Sequence, residues 1–324
     1  MRSTVLRGRV DVATRRPSVQ VLLSTHNGAS YLTELLQSIW TQQGVNVEVL
    51  VRDDGSTDTT LDLLRATARE NPLKLVEGTN IGPAKSFMWL LEHSSASVDF
   101  VSFADQDDVW LPDKLSRATQ WLLRENAGEP AMYCSALTLV DATLKRLGEW
   151  RPGHRGGSFR NAIVQNIASG CTIVINQAAR ELLVMRLPKA VAMHDWWVYQ
   201  AVAGTGKVLV DHESRILYRQ HTVNSIGATV SLLERVKTSW RNFAARDFRL
   251  PSLAQLAELE RCFGDLWSPD ERESVDRLQH ALRSLRGRVA AAFLGGFAFQ
   301  SKWHGLAFRT LLLAGRFSRQ NQPT

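Results

Sequence analysis

Phe100-Val101-Ser102-Phe103-Ala104-Asp105-Gln106-Asp107-Asp108-Val109-Trp110 passes from an apolar, β-prone run into three carboxylates within four residues. A short apolar run ending in a polar break reads as a buried strand. Open α/β sheets hold ligands beyond the carboxyl ends of their strands, so the triplet is a candidate site as well as a loop before the helix near Pro112. Carboxylates this close repel one another, and a bound cation relieves the repulsion. With no Cys or His beside them in the sequence, their oxygens suit Mg²⁺ or Mn²⁺ better than Zn²⁺. An ion held by one or two carboxylates keeps open positions for a diphosphate.

Upstream, strand and helix patterns alternate. Residues 19–24 read as a buried strand, and Thr25-His26-Asn27-Gly28 reads as a turn. Leu32, Leu35, Leu36 and Ile39 give residues 31–43 a helical spacing. A strand over 47–51 runs into Arg52-Asp53-Asp54-Gly55-Ser56-Thr57-Asp58, which offers caps for a helix over 59–70. Residues 73–77 form a third strand, and Pro83 sits at the start of another helix. This alternation predicts βαβ units and a mostly parallel sheet whose acidic and glycine-bearing turns converge on one edge. Downstream, strands are expected over 131–140, 171–176, 208–210 and 215–218. A helix over 193–203 opens on His194-Asp195-Trp196-Trp197, and Arg219-Gln220-His221 follows the last strand.

Composition narrows the function. The chain has 324 residues and a net charge of +7. Residues 1–16 hold five Arg and one Asp, and residues 277–324 hold eight Lys or Arg and no carboxylate, which leaves 17–276 at about −5. Basic ends on a mildly acidic body argue against a nucleic-acid partner and for an anionic membrane surface. Cys134, Cys171 and Cys262 have no metal-ligand spacing and read as core residues of a reducing compartment. No secretory signal is expected, and the near-apolar run over 289–299 is about half of the ~20 residues a spanning helix needs. No G-x-G-x-x-G or Walker-type loop follows the first strand, which argues against hydride-transfer enzymes and NTPases.

Four ordered segments carry a family resemblance over residues 17–228. Val21 through Leu32 resembles the opening strand and turn of family 2 glycosyltransferases, and Asp53-Asp54-Gly55-Ser56-Thr57-Asp58 resembles that family's nucleotide-binding segment. Asp105-Gln106-Asp107-Asp108-Val109-Trp110 resembles its D-x-D metal motif, and His194-Asp195 stands where the family usually has Glu-Asp ahead of a helix. Together with His194-Asp195-Trp196-Trp197 and Tyr218-Arg219-Gln220-His221, the motifs look most like the bacterial rhamnosyltransferase branch, which draws on dTDP-L-rhamnose for surface polysaccharide.

The resemblance implies a GT-A α/β fold, with a basic arm over 1–16, a catalytic domain over 17–228 and a basic helical region over 229–324. It assigns Thr25, Asn27, Asp53, Asp54 and Asp105 to the nucleotide-sugar and Asp107 to a Mg²⁺ or Mn²⁺ ion. Asp108 is either a second ligand or a residue that orients one. His221 is a third ligand or a diphosphate contact, and Arg219 is a candidate for the diphosphate. Asp195 is the base, with helix capping as its alternative. His194, Trp196 and Trp197 are expected near the acceptor or sugar, and the tryptophans have core packing as their alternative. The partners implied are a dTDP-sugar or UDP-sugar donor and a glycan or lipid-linked acceptor. A non-catalytic scaffold on the same fold is the competing class. Phe293, Phe297, Trp303, Leu306 and Phe308, set among basic residues, read as an interfacial face or as a hairpin packed on the domain. The expected location is the cytoplasmic face of the inner membrane, held peripherally.

Overall fold

The computed structural model describes residues 15–220 and 253–314. In the first half, strands and helices alternate as β1 (Ser18–Thr25), α1 (Ala29–Trp40), β2 (Asn46–Asp53), α2 (Thr60–Thr67), β3 (Leu73–Glu77), α3 (Pro83–Glu92) and β4 (Phe100–Ala104). β1 lies between β2 and β4 and is parallel to both, so its two edges are paired, and Val19 and Val21 to Leu23 are fully buried. α1 buries Leu32, Leu35, Leu36 and Ile39, the stripe its spacing predicts. Pro83 occupies the first turn of α3, where its missing N–H breaks no helical bond.

The second half departs from simple alternation. It continues through β5 (Val109–Trp110), α4 (Lys114–Leu122), β6 (Ala131–Ser135), β7 (Leu137–Val140), β8 (Arg146–Trp150) and α5 (Phe159–Ala162). β9 (Val174–Asn176), α6 (Gln177–Met185), α7 (His194–Ala203), β10 (Lys207–Asp211) and β11 (Ile216–Arg219) follow. The main sheet has the order β10-β6-β9-β4-β1-β2-β3, and β9 is antiparallel to both β4 and β6. A smaller sheet has the order β5-β11-β7-β8. The single strand expected over 131–140 is therefore two, one in each sheet. The switch falls at Ala136, whose N–H donates to Asp211 O at 3.0 Å. An unbroken apolar run hides such a break, because burial continues through it. The strand expected over 171–176 is a 3-10 turn, Gly170–Thr172, leading into the three residues of β9.

Four C-terminal helices follow among the described residues: α8 (Leu253–Phe263), α9 (Pro269–Arg283), α10 (Leu285–Leu294) and α11 (Lys302–Ala314). Leu256, Leu259, Phe263, Val275, Leu278, Phe308 and Leu312 share one core with Trp196, Trp197 and Tyr199 of α7. The helices thus pack on the α/β body. α9 starts on a reciprocal cap, Ser268 to Glu271, with Pro269 in its first turn. The boundary expected near 228 lies outside the described residues.

Candidate active site

Parallel pairing brings the last residues of β1, β2 and β4 to one edge. Thr25 lies in register with Asp53, and Leu23 with Ala104. Beyond that edge the two acidic loops are built differently.

The loop after β2 is internally satisfied. Asp53 is fully buried and accepts from Thr25 Oγ1 (2.8 Å), Ser56 Oγ (2.6 Å) and Ser56 N (2.8 Å). Asp54, also buried, pairs with Arg52 and accepts from Ile81 N at 3.2 Å. Asn27 adopts φ 50°, and its Oδ1 accepts from Thr57 N at 2.8 Å, which ties the first turn to the second loop. Thr25, Asp53 and Asp54 therefore hold the loop together from within, while Asn27 is exposed on its rim.

The loop after β4 is left open. Asp105 and Asp107 are partly exposed and Asp108 is fully buried. One Asp108 oxygen accepts from Arg219 N at 3.2 Å, and the other, with no well-formed hydrogen bond, has the Cys171 thiol as its neighbouring weak donor. Burial, with the charges of Asp105 and Asp107 added, drives the Asp108 carboxyl well above the usual carboxylate range. Ligand atoms of Asp105, Asp108 and Cys171 lie within 4.8 Å of one another. The sequence expectation of no soft group beside the carboxylates is thus corrected, because the Gly170–Thr172 turn delivers Cys171. Burial and the nearby aspartates hold its thiol well above the ordinary range, so without a cation it stands beside Asp108 as a protonated, weak donor. Lys114, also buried, donates to Ser102 Oγ at 3.2 Å and lies 3.4 Å from the Trp110 ring centre. Burial lowers its pKa to about 7. An unpartnered buried carboxylate oxygen among carboxylates is what a divalent cation would satisfy, so the residues present fit one.

The same turn joins this cluster to α7. A Cβ on Gly170 would lie 2.6 Å from His194 Nε2 and 3.6 Å from Asp195 Cβ. Asp195 is in the first turn of α7, partly exposed, and accepts from Trp196 N at 2.6 Å. His194 stacks on Phe87 with ring centres 4.0 Å apart, and its Nε2 is buried without a partner. Burial lowers its pKa to about 3, so it is neutral at physiological pH. The Asp105–Asp108 loop and Asp195, far apart in sequence, thus flank one short turn.

Three assignments are corrected. Trp196 and Trp197 are 2% and 0% exposed. Trp196 Nε1 donates to Ala162 O at 2.7 Å and Trp197 lies against Phe263, so neither can meet a sugar. Arg219 is buried, and every guanidinium nitrogen is engaged. Nε donates to Asp107 O (2.8 Å), Nη1 to Ala142 O (2.6 Å) and Nη2 to Glu34. It clamps the acidic loop to α1 and is closed to a diphosphate. His221 lies outside the described residues. Cys171, Lys114 and Gly170 had no local sequence signal, since each acts through residues distant in the chain.

The sequence model of the family described as Glycosyl transferase family 2 matches residues 20–181, half of the chain and the part that holds both acidic loops. The chain belongs to glycosyl transferase family 2. This glycosyltransferase is 26% identical over 227 residues to a dTDP-rhamnosyl transferase, RfbG, of Shigella flexneri, covering 66% of this chain and 77% of that one. It is 32% identical over 215 residues to an uncharacterized glycosyltransferase of Nostoc, covering 64% and 66%. The crystal structure of Staphylococcus aureus TarS residues 1–349 with UDP-GlcNAc aligns at a TM-score of 0.52 and 16% identity, over 92% of this chain and 90% of that one. Likeness at that identity establishes the shared fold. As a family 2 glycosyltransferase, the protein draws its sugar from a nucleotide-sugar donor.

Proposed function

We propose that this enzyme transfers L-rhamnose from dTDP-L-rhamnose to a glycan or lipid-linked glycan, with inversion and with Mg²⁺ or Mn²⁺ dependence. The observation that carries the reading is the unpartnered, buried Asp108 oxygen beside Asp105, one short turn away from Asp195. The similarity to the Shigella dTDP-rhamnosyl transferase supports the choice of donor.

In this reading Asp105, Asp107 and Asp108 face the metal and diphosphate, and the Thr25–Asn27 turn with the Asp53–Asp54 loop forms the nucleotide cradle. A divalent ion held by these carboxylates would neutralise the charge of the departing nucleoside diphosphate, which would then need no proton. Asp195, whose charge the α7 N-terminus favours, removes the acceptor hydroxyl proton. The acceptor oxygen bonds to the anomeric carbon as the bond to the diphosphate breaks, and attack from the opposite face inverts the centre. A panel of dTDP- and UDP-sugars with Mn²⁺ tests the donor by thermal stabilisation, which follows RT ln(1 + [L]/Kd). The largest shift is expected with dTDP-L-rhamnose. A larger shift with a UDP-sugar would reassign the base, and full transfer in excess EDTA would remove the metal.

We also propose that α10 and α11 rest on an anionic membrane surface, on the cytoplasmic face of the inner membrane. No described helix is long and apolar enough to cross a membrane. Leu285, Val289 and Phe293 recur four residues apart and are 65%, 45% and 69% exposed. Leu306 and Leu313 are exposed on α11, with Arg286, Lys302 and Arg309 exposed beside them. Each cation near such a surface is worth about 1 kcal/mol, and the apolar stripe adds insertion that salt does not screen. Phe293→Asp with Leu306→Asp should weaken binding to phosphatidylserine vesicles without moving the melting midpoint. Equal binding by both proteins would dismiss the surface.

A further inference from the structure

Gln106, the uncharged residue inside the acidic triplet, reaches across the sheet edge to the first turn. His26 N donates to its Oε1 at 2.9 Å, and its Nε2 donates to His26 O at 3.1 Å. One side-chain amide thus pairs with both backbone groups of a residue 80 positions away. The approach depends on Gly28. A Cβ there would lie 2.3 Å from Gln106 Oε1 and 2.6 Å from Gln106 Cδ. The Gly28 backbone has φ −104° and ψ 6°, which any residue can adopt, so the glycine answers to space and not to backbone conformation.

The other side of the same turn is already held. Asn27 N donates to Ser56 Oγ at 2.9 Å and Gly28 N to Thr60 Oγ1 at 2.9 Å. The first turn is therefore fixed to the second loop through Ser56 and Thr60, and to the acidic loop through Gln106. An amide suits this junction because it donates and accepts together, whereas a carboxylate would set its charge against the His26 carbonyl.

We propose that Gln106 is a positioning residue that locks the nucleotide cradle to the metal-binding carboxylates, with Gly28 leaving the space for it. Asp105 and Asp107 flank Gln106 directly, so the geometry that fixes Gln106 also fixes where their carboxylates stand relative to Thr25 and Asn27. The proposal rests on the donor-site reading above.

A double-variant cycle on the full chain tests it, with dTDP and UDP as probes in Mn²⁺. Gln106→Ala should weaken binding of the preferred diphosphate about tenfold, the loss of one to two net hydrogen bonds' worth of ordering. Gly28→Ala should do the same, because the methyl displaces a flexible side-chain end. The two together should be no worse than Gln106→Ala alone, the non-additivity of a shared contact. Gln106→Glu, which keeps the acceptor but sets a charge against the His26 carbonyl, should not recover the binding. Melting midpoints should move by no more than about 3 °C and turnover at saturating donor should change little, so the effect falls on KM. Additive losses, or unchanged binding by Gln106→Ala, would overturn the proposal. If the unaltered protein binds neither diphosphate, the donor-site reading fails and the positioning role fails with it. The cycle in melting midpoint still reports the contact separately.

Discussion

Two buried aspartates at the same sheet edge, Asp53 and Asp108, are both fully shielded from solvent and stand at opposite ends of the hydrogen-bond scale. Asp53 accepts from three donors on Thr25 and Ser56, all within 2.8 Å. Asp108 accepts one backbone N–H at 3.2 Å and keeps an oxygen with none. Burial alone does not mark a site. A closed network rigidifies a loop, while a buried carboxylate left short of donors asks for a ligand. His194, with its buried and unpartnered Nε2, belongs with Asp108 on the open side, next to Asp195.

The largest effect should come from the open side. Asp195→Asn is expected to lower transfer by about 10²–10⁴, the usual contribution of a general base, with donor binding unchanged. Isothermal titration beside a turnover assay separates the two. Donor affinity that collapses along with the rate would move Asp195 into the donor site, and surviving turnover would leave it a helix cap.

Next comes the direct contrast of the two aspartates. Asp53→Asn replaces one of the two acceptor oxygens of a buried network with a donor and should cost about 1–3 kcal/mol of stability while the stabilising response to Mn²⁺ persists. Asp108→Asn should shift the stability of the metal-free protein by less than about 1 kcal/mol, because burial already favours the neutral carboxyl. It should instead abolish the Mn²⁺ response. Denaturant titrations with and without Mn²⁺ read both quantities, and the reverse pattern would break the comparison.

The smallest effect concerns His194. Burial holds its folded-state pKa at about 3, below the value of about 6.5 in an unfolded chain. A depressed pKa means that the unfolded chain takes up more protons once the pH drops below about 6.5, so stability falls from there towards pH 3. Between pH 6.5 and 5 the loss should approach roughly 1 kcal/mol per unit relative to His194→Phe, which keeps a ring against Phe87. Parallel pH profiles for the two proteins would show that His194 is not held neutral.

Much of the fold was legible from local pattern. The apolar runs of β1, β2 and β4, the α1 stripe and Pro83 at the start of α3 are short-range signals, and each element lies within a few residues of its expected place. Acidic turns after parallel strands had to converge, which located the site edge and placed Asp105, Asp107 and Asp108 on it. The break at Ala136 and the antiparallel insertion of β9 were not legible, because both are choices of partner strand within continuously buried segments.

From the chain alone came the α/β alternation, the family, the acidic loop and the basic, acid-free C-terminal region. Only the tertiary structure decided which polar groups are closed and which are open. Arg219 looked like a diphosphate contact until its partners Asp107 and Glu34, 112 and 185 residues away, engaged its guanidinium. Trp196 and Trp197 stood between a sugar contact and core packing until Ala162 O engaged one indole and Phe263 of α8 lay against the other. Cys171 and Gly170 carried no motif, yet their turn joins the carboxylate cluster to Asp195. Periodicity and turn chemistry act over a few residues, so they are written locally. Hydrogen-bond satisfaction depends on distances between residues far apart in sequence, and it exists only once the chain has folded.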